Sequence, residues 1–183
     1  MIPVMLDQAL VRVALCGNGI LTVRRLKWLR DCGADPLVFA PHADAELAEL
    51  AGAALIKRLP EHTDLMGLAA IWIADFATET ANPLAEEARA IGVLVNFEDV
   101  LDYCDFHTPA VIHRGRLTLA VGTGGASPAI ASIIRQRLET AFPPAWESLV
   151  DGVASSRLDL KAKGATFPEL VADATARLVQ SGL

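Results

Sequence analysis

The chain has 183 residues, of which 52% are hydrophobic, and a formal net charge of −6 at pH 7. This length supports one buried core with a small appendage, and the composition excludes a largely disordered protein. No apolar run reaches the roughly 20 residues needed to cross a bilayer, and the negative charge argues against nucleic acid as a main partner. Residues 1–7 lack a secretory signal and the three cysteines lack metal-ligand spacing, which favours a reduced, cytoplasmic protein.

Strands and helices alternate through the first half of the chain. Val11–Cys16 is apolar nearly throughout, as strands of buried parallel sheets are. The helix that follows is expected to end at Gly33, because glycine readily adopts the left-handed conformation found after helices. The pattern predicts strands at 11–16, 35–40, 55–59, 68–74 and 93–97, and helices at 22–32, 46–51 and 83–91. We therefore expect an α/β fold with a doubly wound, Rossmann-like parallel sheet.

The second half has a different pattern. Strands are predicted at 110–113 and 117–121, joined by a turn at Arg114-Gly115-Arg116. A helix from Pro128 is expected to stop at Pro143-Pro144, and two more helices follow at 145–162 and 167–181. We expect a nucleotide-binding domain at 1–109, an α+β dimerisation region at 110–142 and a helical region at 143–183. The two strands either build a dimer interface or extend the first sheet, and the pattern does not choose between these.

A glycine-rich turn with the spacing Gly17-x-Gly19-x-x-Thr22 follows the first predicted strand. Glycine permits a tight turn and lets the backbone approach a pyrophosphate, which the N-terminus of the next helix then binds. An ordinary strand-to-helix turn is the alternative, because the third position is Thr and the second strand does not end in an acidic residue for the ribose. The candidate cofactor residues are Gly17, Asn18, Gly19, Ile20, Phe39, Ala40, Pro41 and Ala74.

Charged residues lie close to this predicted cleft. Arg24 and Arg25 either form a solvated helix face or bind a phosphate or carboxylate. The stretch Asn96–Asp99 ends a predicted parallel strand, and ligands of open α/β sheets bind at such ends. Asp99 can serve there as a general base, or it can stabilise a turn.

A second glycine-rich loop, Gly122–Pro128, also leads from a strand into a helix. Ser127 is a suitable N-cap and Pro128 a suitable first helical residue. The free N–H groups of such a helix start can bind an anion, with a plain capped connection as the alternative.

In this order, the motifs resemble the precorrin-2 dehydrogenase/sirohydrochlorin ferrochelatase family of siroheme biosynthesis. The resemblance covers about residues 2–142, and its most specific part runs from Asn96 to Pro128. The matching stretches are 2–7, 16–19 with Arg24-Arg25, Asn82, 95–99, 104–110, and 120–129 with Arg135 and Glu139.

The resemblance implies a homodimeric enzyme in which NAD accepts a hydride as precorrin-2 becomes sirohydrochlorin. In many members of this family the same cleft then inserts ferrous iron. Asp99 falls on the aspartate implicated in both activities, and Thr123 falls on a Ser/Thr position beside the tetrapyrrole site. The substrate is a polycarboxylate, and its expected ligands are Arg24, Arg25, Thr123, Gly124 and Ser127, with no protein-bound metal.

Two departures from the family pattern lie in the expected NAD cleft. The sequence at 74–79 replaces the usual Ala-Thr-Asp-Asp type and has the bulky Phe76 where a small polar residue is common. Asn18–Thr22 replaces a commoner Gly-Gly-x-Val-Ala pattern. Two alternatives therefore stay open: a chelatase without dehydrogenase activity, and a non-catalytic tetrapyrrole-binding homologue.

Overall fold

The computed structural model describes residues 2–183, so Met1, the first residue of the expected nucleotide-binding domain, lies outside the described residues. The chain divides into two compact units, one ending at Thr108 and one comprising Pro109–Leu183. In the part of the chain that is described, no helix combines the length and apolar character required of a membrane span.

The first unit contains a five-stranded parallel sheet, which confirms the predicted α/β class. The strand order is β3-β2-β1-β4-β5. Both neighbours of the central strand β1 run parallel to it, and Cys16 pairs with Phe39 on one side and Ile73 on the other. The strands are β1 (Arg12–Cys16), β2 (Leu37–Phe39), β3 (Leu55–Ile56), β4 (Leu68–Ile73) and β5 (Leu94–Phe97).

Helices cover both faces of this sheet because alternate strand residues point to opposite sides. Val13 and Leu15 belong to one apolar cluster and Ala14 and Cys16 to the other. The first cluster includes α1 (Ile20–Asp31) and α2 (Ala45–Ala51), and the second includes α3 (His62–Leu65) and α4 (Thr78–Ala90). Burial on both faces explains why the strands are apolar apart from Arg12 in β1 and Asn96 in β5.

Two predicted boundaries in this unit were wrong. Helix α4 begins at Thr78, so Pro83 lies inside the helix and not at its start. Pro83 is at an exposed position and its fixed φ is compatible with a helix, although it removes one N–H donor and crowds the carbonyl of residue 79. Strand β3 ends at Ile56 and not at Leu59, because Arg58 N donates back to Ile56 O at 2.9 Å and turns the chain.

The second unit begins with an antiparallel hairpin, β6 (Ala110–Arg114) and β7 (Leu117–Val121), in which Ile112 pairs with Leu119. These strands form a separate two-stranded sheet, so they do not extend the parallel sheet. Three helices follow: α5 (Pro128–Ala141), α6 (Trp146–Ala162) and α7 (Phe167–Ser181).

Candidate functional site

The strand order of the parallel sheet reverses direction between β1 and β4, and open α/β sheets bind ligands at this point. Backbone hydrogen bonds continue the pairing past the strand ends: Gly17 N donates to Phe39 O, and Ala74 N donates to Cys16 O, both at 2.9 Å. The chain segments that leave β1 and β4 are therefore held side by side, and they build the candidate site.

The loop after β1 requires glycine at two positions. A Cβ on Gly17 would overlap Thr22 Oγ1 and come within 2.5 Å of Ala74 O. A Cβ on Gly19 would lie 2.8 Å from Asp75 Cγ. Both glycines therefore allow the β1–α1 turn to close against the segment after β4, a contact that the sequence pattern did not indicate.

Asp75 places its carboxylate on the N-terminus of α1. Oδ2 accepts hydrogen bonds from Gly19 N at 3.0 Å, Thr22 N at 2.8 Å and Thr22 Oγ1 at 2.8 Å. Oδ1 accepts a hydrogen bond from Leu21 N at 3.3 Å. The backbone of Asp75 is left-handed, with φ 58°, which directs the segment after β4 back towards this loop. We call the four donor groups of Gly19, Leu21 and Thr22 the α1 cradle.

The α1 cradle has the donor chemistry that a pyrophosphate requires. Helix α1 has no cap from its own N-cap side chain and no acidic residue in its first turn, so its first N–H groups and positive helix end depend on an anionic acceptor from elsewhere. The Asp75 carboxylate stands in for a phosphate oxygen there. The residues present therefore fit a dinucleotide pyrophosphate at the position that Asp75 now holds.

The other predicted cofactor residues take different positions. Asn18 Oδ1 accepts a hydrogen bond from His42 N at 2.8 Å, which ties the loop after β1 to the loop after β2. Phe39 and Ala40 are fully buried, whereas the Ile20 side chain is exposed at the start of α1. Of the remaining two, Pro41 is half-buried and Ala74 is buried.

Arg24 and Arg25 both bind Glu98, which follows β5. Arg24 Nη2 lies 2.7 Å from Glu98 Oε1, and Arg25 Nη2 lies 2.6 Å from Oε2. The Glu98 and Arg25 side chains are only 7% and 11% exposed, and Arg25 also lies over the Trp28 ring at 5.1 Å. Arg24 is 63% exposed, so its remaining donors face solvent. The pairing makes Arg25 a structural cation and leaves Arg24 more accessible to a ligand.

Asp99 is exposed in the turn that follows β5. Val100 N donates to Phe97 O at 3.1 Å and closes this turn, in which Asp99 has a φ of 64°. Aspartate is among the residues that tolerate this left-handed conformation. Within residues 2–183 no hydrogen bond or ion pair engages the Asp99 carboxylate. The turn thus buries Glu98 while it presents Asp99 to solvent.

The polar side chains of the second glycine-rich loop make their hydrogen bonds within the loop and to the start of α5. Ser127 Oγ accepts from Ile130 N at 3.2 Å and caps α5, as predicted. Thr123 Oγ1 accepts from Ser127 N at 3.1 Å and donates to Ser127 O at 3.2 Å. Gly124 and Gly125 have φ values of 65° and 83°, a conformation that favours glycine. The hydroxyls of Thr123 and Ser127 are therefore used within the loop.

None of the three cysteines has the features of an activated nucleophile. Burial raises the pKa of Cys16 to about 12. The pKa values of Cys32 and Cys104 are also raised by burial. Among residues 2–183 no group of three or more His, Cys, Asp or Glu side chains is placed to hold a metal ion.

Sequence reasoning missed two functional contacts. It noted Asp75 only as a departure from a pattern, and it did not assign Glu98 as the partner of Arg24 and Arg25. The available signal was position: both acids come one or two residues after neighbouring parallel strands, where polar groups converge.

Comparisons with known proteins match both units. A family model described as "Putative NAD(P)-binding" matches residues 4–110. A second, described as "Sirohaem biosynthesis protein central", matches residues 114–141.

The similar proteins are siroheme synthases. That of Methylococcus capsulatus is 36% identical over 159 residues, which is 85% of this chain and 34% of the relative. That of Nitrosococcus oceani is 32% identical over 164 residues, 87% of this chain and 35% of the relative. The chain thus spans about one third of the length of these relatives.

The solved structure of SirC, a precorrin-2 dehydrogenase, has a similar fold. Its TM-score is 0.76 at 23% sequence identity, and the match covers 100% of this chain and 99% of that one. This likeness shows the fold alone, and it agrees with the predicted arrangement of a parallel sheet, a small second sheet and C-terminal helices.

Proposed function

This chain belongs to the siroheme synthase family through its NAD(P)-binding region, and from that membership we propose that it catalyses the NAD-dependent oxidation of precorrin-2 to sirohydrochlorin. The observation that carries the proposal is the α1 cradle, which already binds an anionic oxygen at the switch point of the sheet. Asp99 follows β5, the strand next to β4, at the same edge of the sheet.

Oxidation of the reduced macrocycle removes a hydride and a proton. Bound NAD supplies the acceptor for the hydride. The Asp99 carboxylate takes the proton, since it is exposed and makes no hydrogen bond or ion pair within residues 2–183. Gly17 and Gly19 keep the loop clear of side chains, and the α1 cradle holds the pyrophosphate.

The carboxylates of the substrate need cations and N–H donors. In the first unit we assign this role to the free donors of Arg24. In the second unit, taken by itself, backbone groups around Gly124 and Ser127 at the start of α5 supply N–H donors of the kind that a carboxylate needs. Arg25 positions Glu98, and Thr123 holds the loop in shape. Arg25 and Thr123 thus support the groups that bind the substrate and do not bind it themselves.

The test is turnover of precorrin-2, generated in situ without oxygen, followed by NADH formation. Asp99→Asn should reduce turnover at least about a hundredfold, the contribution typical of a general base, because asparagine keeps the left-handed turn but cannot take the proton. Asp102→Asn, an exposed position in the same loop, is the matched control. Turnover at the normal rate in the Asp99 variant would remove its catalytic role.

A second candidate function follows from Asp75. Because its carboxylate fills the α1 cradle, a protein that inserts ferrous iron into sirohydrochlorin without using NAD also fits the site. Here Asp99 would take a proton that leaves a pyrrole nitrogen. Iron insertion into supplied sirohydrochlorin at a rate independent of NAD, with no NADH formed from precorrin-2, would favour this function.

We also propose that the protein is a cytoplasmic homodimer. The support is the outer face of α5, where Ile130, Ile133 and Ile134 are exposed although apolar. Ile133→Glu should halve the mass measured by light scattering, whereas Ser132→Glu, exposed on the opposite side of the same helix, should leave it unchanged. A wild-type monomer would exclude the dimer.

A further inference from the structure

We propose that Asp75 is the residue that sets the affinity of this site for its dinucleotide, because its carboxylate competes with the pyrophosphate for the α1 cradle. This inference rests on the proposed use of NAD. It adds a role for Asp75 beyond that function, since the carboxylate must leave before the pyrophosphate binds.

The competition follows from the number of donors. The cradle offers three backbone N–H groups and one hydroxyl, and Asp75 accepts from all four at 2.8–3.3 Å. The same groups cannot also donate at good geometry to a phosphate oxygen at that place. A carboxylate kept beside a pyrophosphate would in addition oppose it with like charge.

Asp75 is also placed so that it can leave. The residue is exposed, although it binds the fully buried Thr22. Its left-handed backbone is a conformation that costs a non-glycine residue energy, and the hydrogen bonds to α1 offset that cost. A ligand that replaces the carboxylate removes the interactions that hold the backbone in this state.

The test compares NAD binding by calorimetry in the wild type, Asp75→Ala and Asp75→Asn, with inorganic pyrophosphate as a second probe. Both variants should bind NAD about tenfold or more tightly than the wild type, since one charge-assisted hydrogen bond contributes roughly that factor. Asp75→Asn retains a side-chain acceptor, so it keeps the test valid if the alanine variant folds poorly. Glu79→Ala removes the same charge from the first turn of α4 and should leave the affinity unchanged.

Amide NMR shifts of Gly19, Leu21 and Thr22 locate the binding independently of turnover. Equal or weaker NAD affinity in both Asp75 variants, with the wild type binding normally, overturns the inference and leaves the proposed function intact. Binding of NAD by the variants but not by the wild type supports the inference and overturns the dehydrogenase function. If no form binds NAD or pyrophosphate, the cradle is not an anion site and both are overturned.

Discussion

The two glycine-rich loops supply acceptors for the first N–H groups of a helix in different ways. Each leads from a strand into a helix whose first N–H groups need acceptors. At α5 the acceptor is local, because Ser127 caps its own helix and Thr123 braces the loop. At α1 the acceptor is Asp75, which lies 53 residues beyond Thr22 in the sequence.

The difference decides which loop can respond to a ligand. A local cap forms and breaks with its own helix, so Ser127 holds the α5 loop in one state. A distant cap depends on the segment after β4, so the α1 cradle can exchange one anion for another without unfolding α1. Changes to each loop should therefore have distinct effects on stability and on binding.

The largest expected effect comes from the tight packing of the first loop. Gly17→Ala should lower the free energy of unfolding by about 3 kcal/mol, because the new methyl group meets both Thr22 and the backbone oxygen of Ala74. Gly122→Ala is the control in the second loop, where a Cβ has no atom within 4 Å. Urea denaturation measures both, and similar values for the two variants would contradict the described packing.

Removal of the distant cap should have the next largest effect. We expect Asp75→Ala to lower the free energy of unfolding of the ligand-free protein by about 2 kcal/mol, since a charged acceptor of several N–H bonds is lost. In the presence of saturating NAD the deficit should shrink, because the ligand supplies the missing acceptor. Thermal unfolding with and without NAD measures this, and an unchanged deficit would show that NAD does not replace Asp75.

Removal of the local cap should have a smaller effect that does not depend on NAD. Ser127→Ala should lower the free energy of unfolding by about 1 kcal/mol, the usual value for an N-cap. Because Ser127 caps its own helix and takes no part in the α1 cradle, the affinity for NAD should stay at the wild-type value. A combined loss of stability and of NAD binding would contradict the local role of the Ser127 cap.

The smallest expected effect is the coupling between Thr22 and Asp75. A double-mutant cycle with Thr22→Val and Asp75→Ala should give an interaction energy of about 0.5–1 kcal/mol, because Thr22 Oγ1 donates to Asp75 Oδ2 at 2.8 Å. The cycle between Ser127→Ala and Asp75→Ala should be additive. Additivity in the first cycle would mean that the hydroxyl bond contributes nothing measurable.

Local patterns predicted the elements on which these loops are built. The apolar run before Gly17 predicted β1. The Ser127-Pro128 pair predicted the start of α5, where Ser127 is the N-cap and Pro128 the first helical residue. The sequence resemblance also placed the chain in its family. These features depend on neighbours in the chain, so spacing and residue type carry the necessary information.

The distant contacts could not be predicted in the same way. Asp75 reaches α1 only because Cys16 and Ile73 are paired in register, and Glu98 reaches Arg24 and Arg25 only because β5 lies beyond β4. The left-handed backbones of Asp75 and Asp99 also have no sequence signal comparable to glycine. The donor loop was therefore identified, but the side chain that occupies it was not.

The tethering of Asp75 has a consequence for selectivity inside a cell. Phosphate, sulfate and free nucleotides compete for a helix N-terminus in proportion to their concentrations, whereas an attached carboxylate has a high effective concentration that dilution does not change. A small anion that contacts only the α1 cradle must displace the Asp75 carboxylate, and it makes few contacts that could offset this cost. A dinucleotide carries groups beyond its pyrophosphate that can add contacts, so we expect the tethered carboxylate to exclude small anions more strongly than the larger ligand.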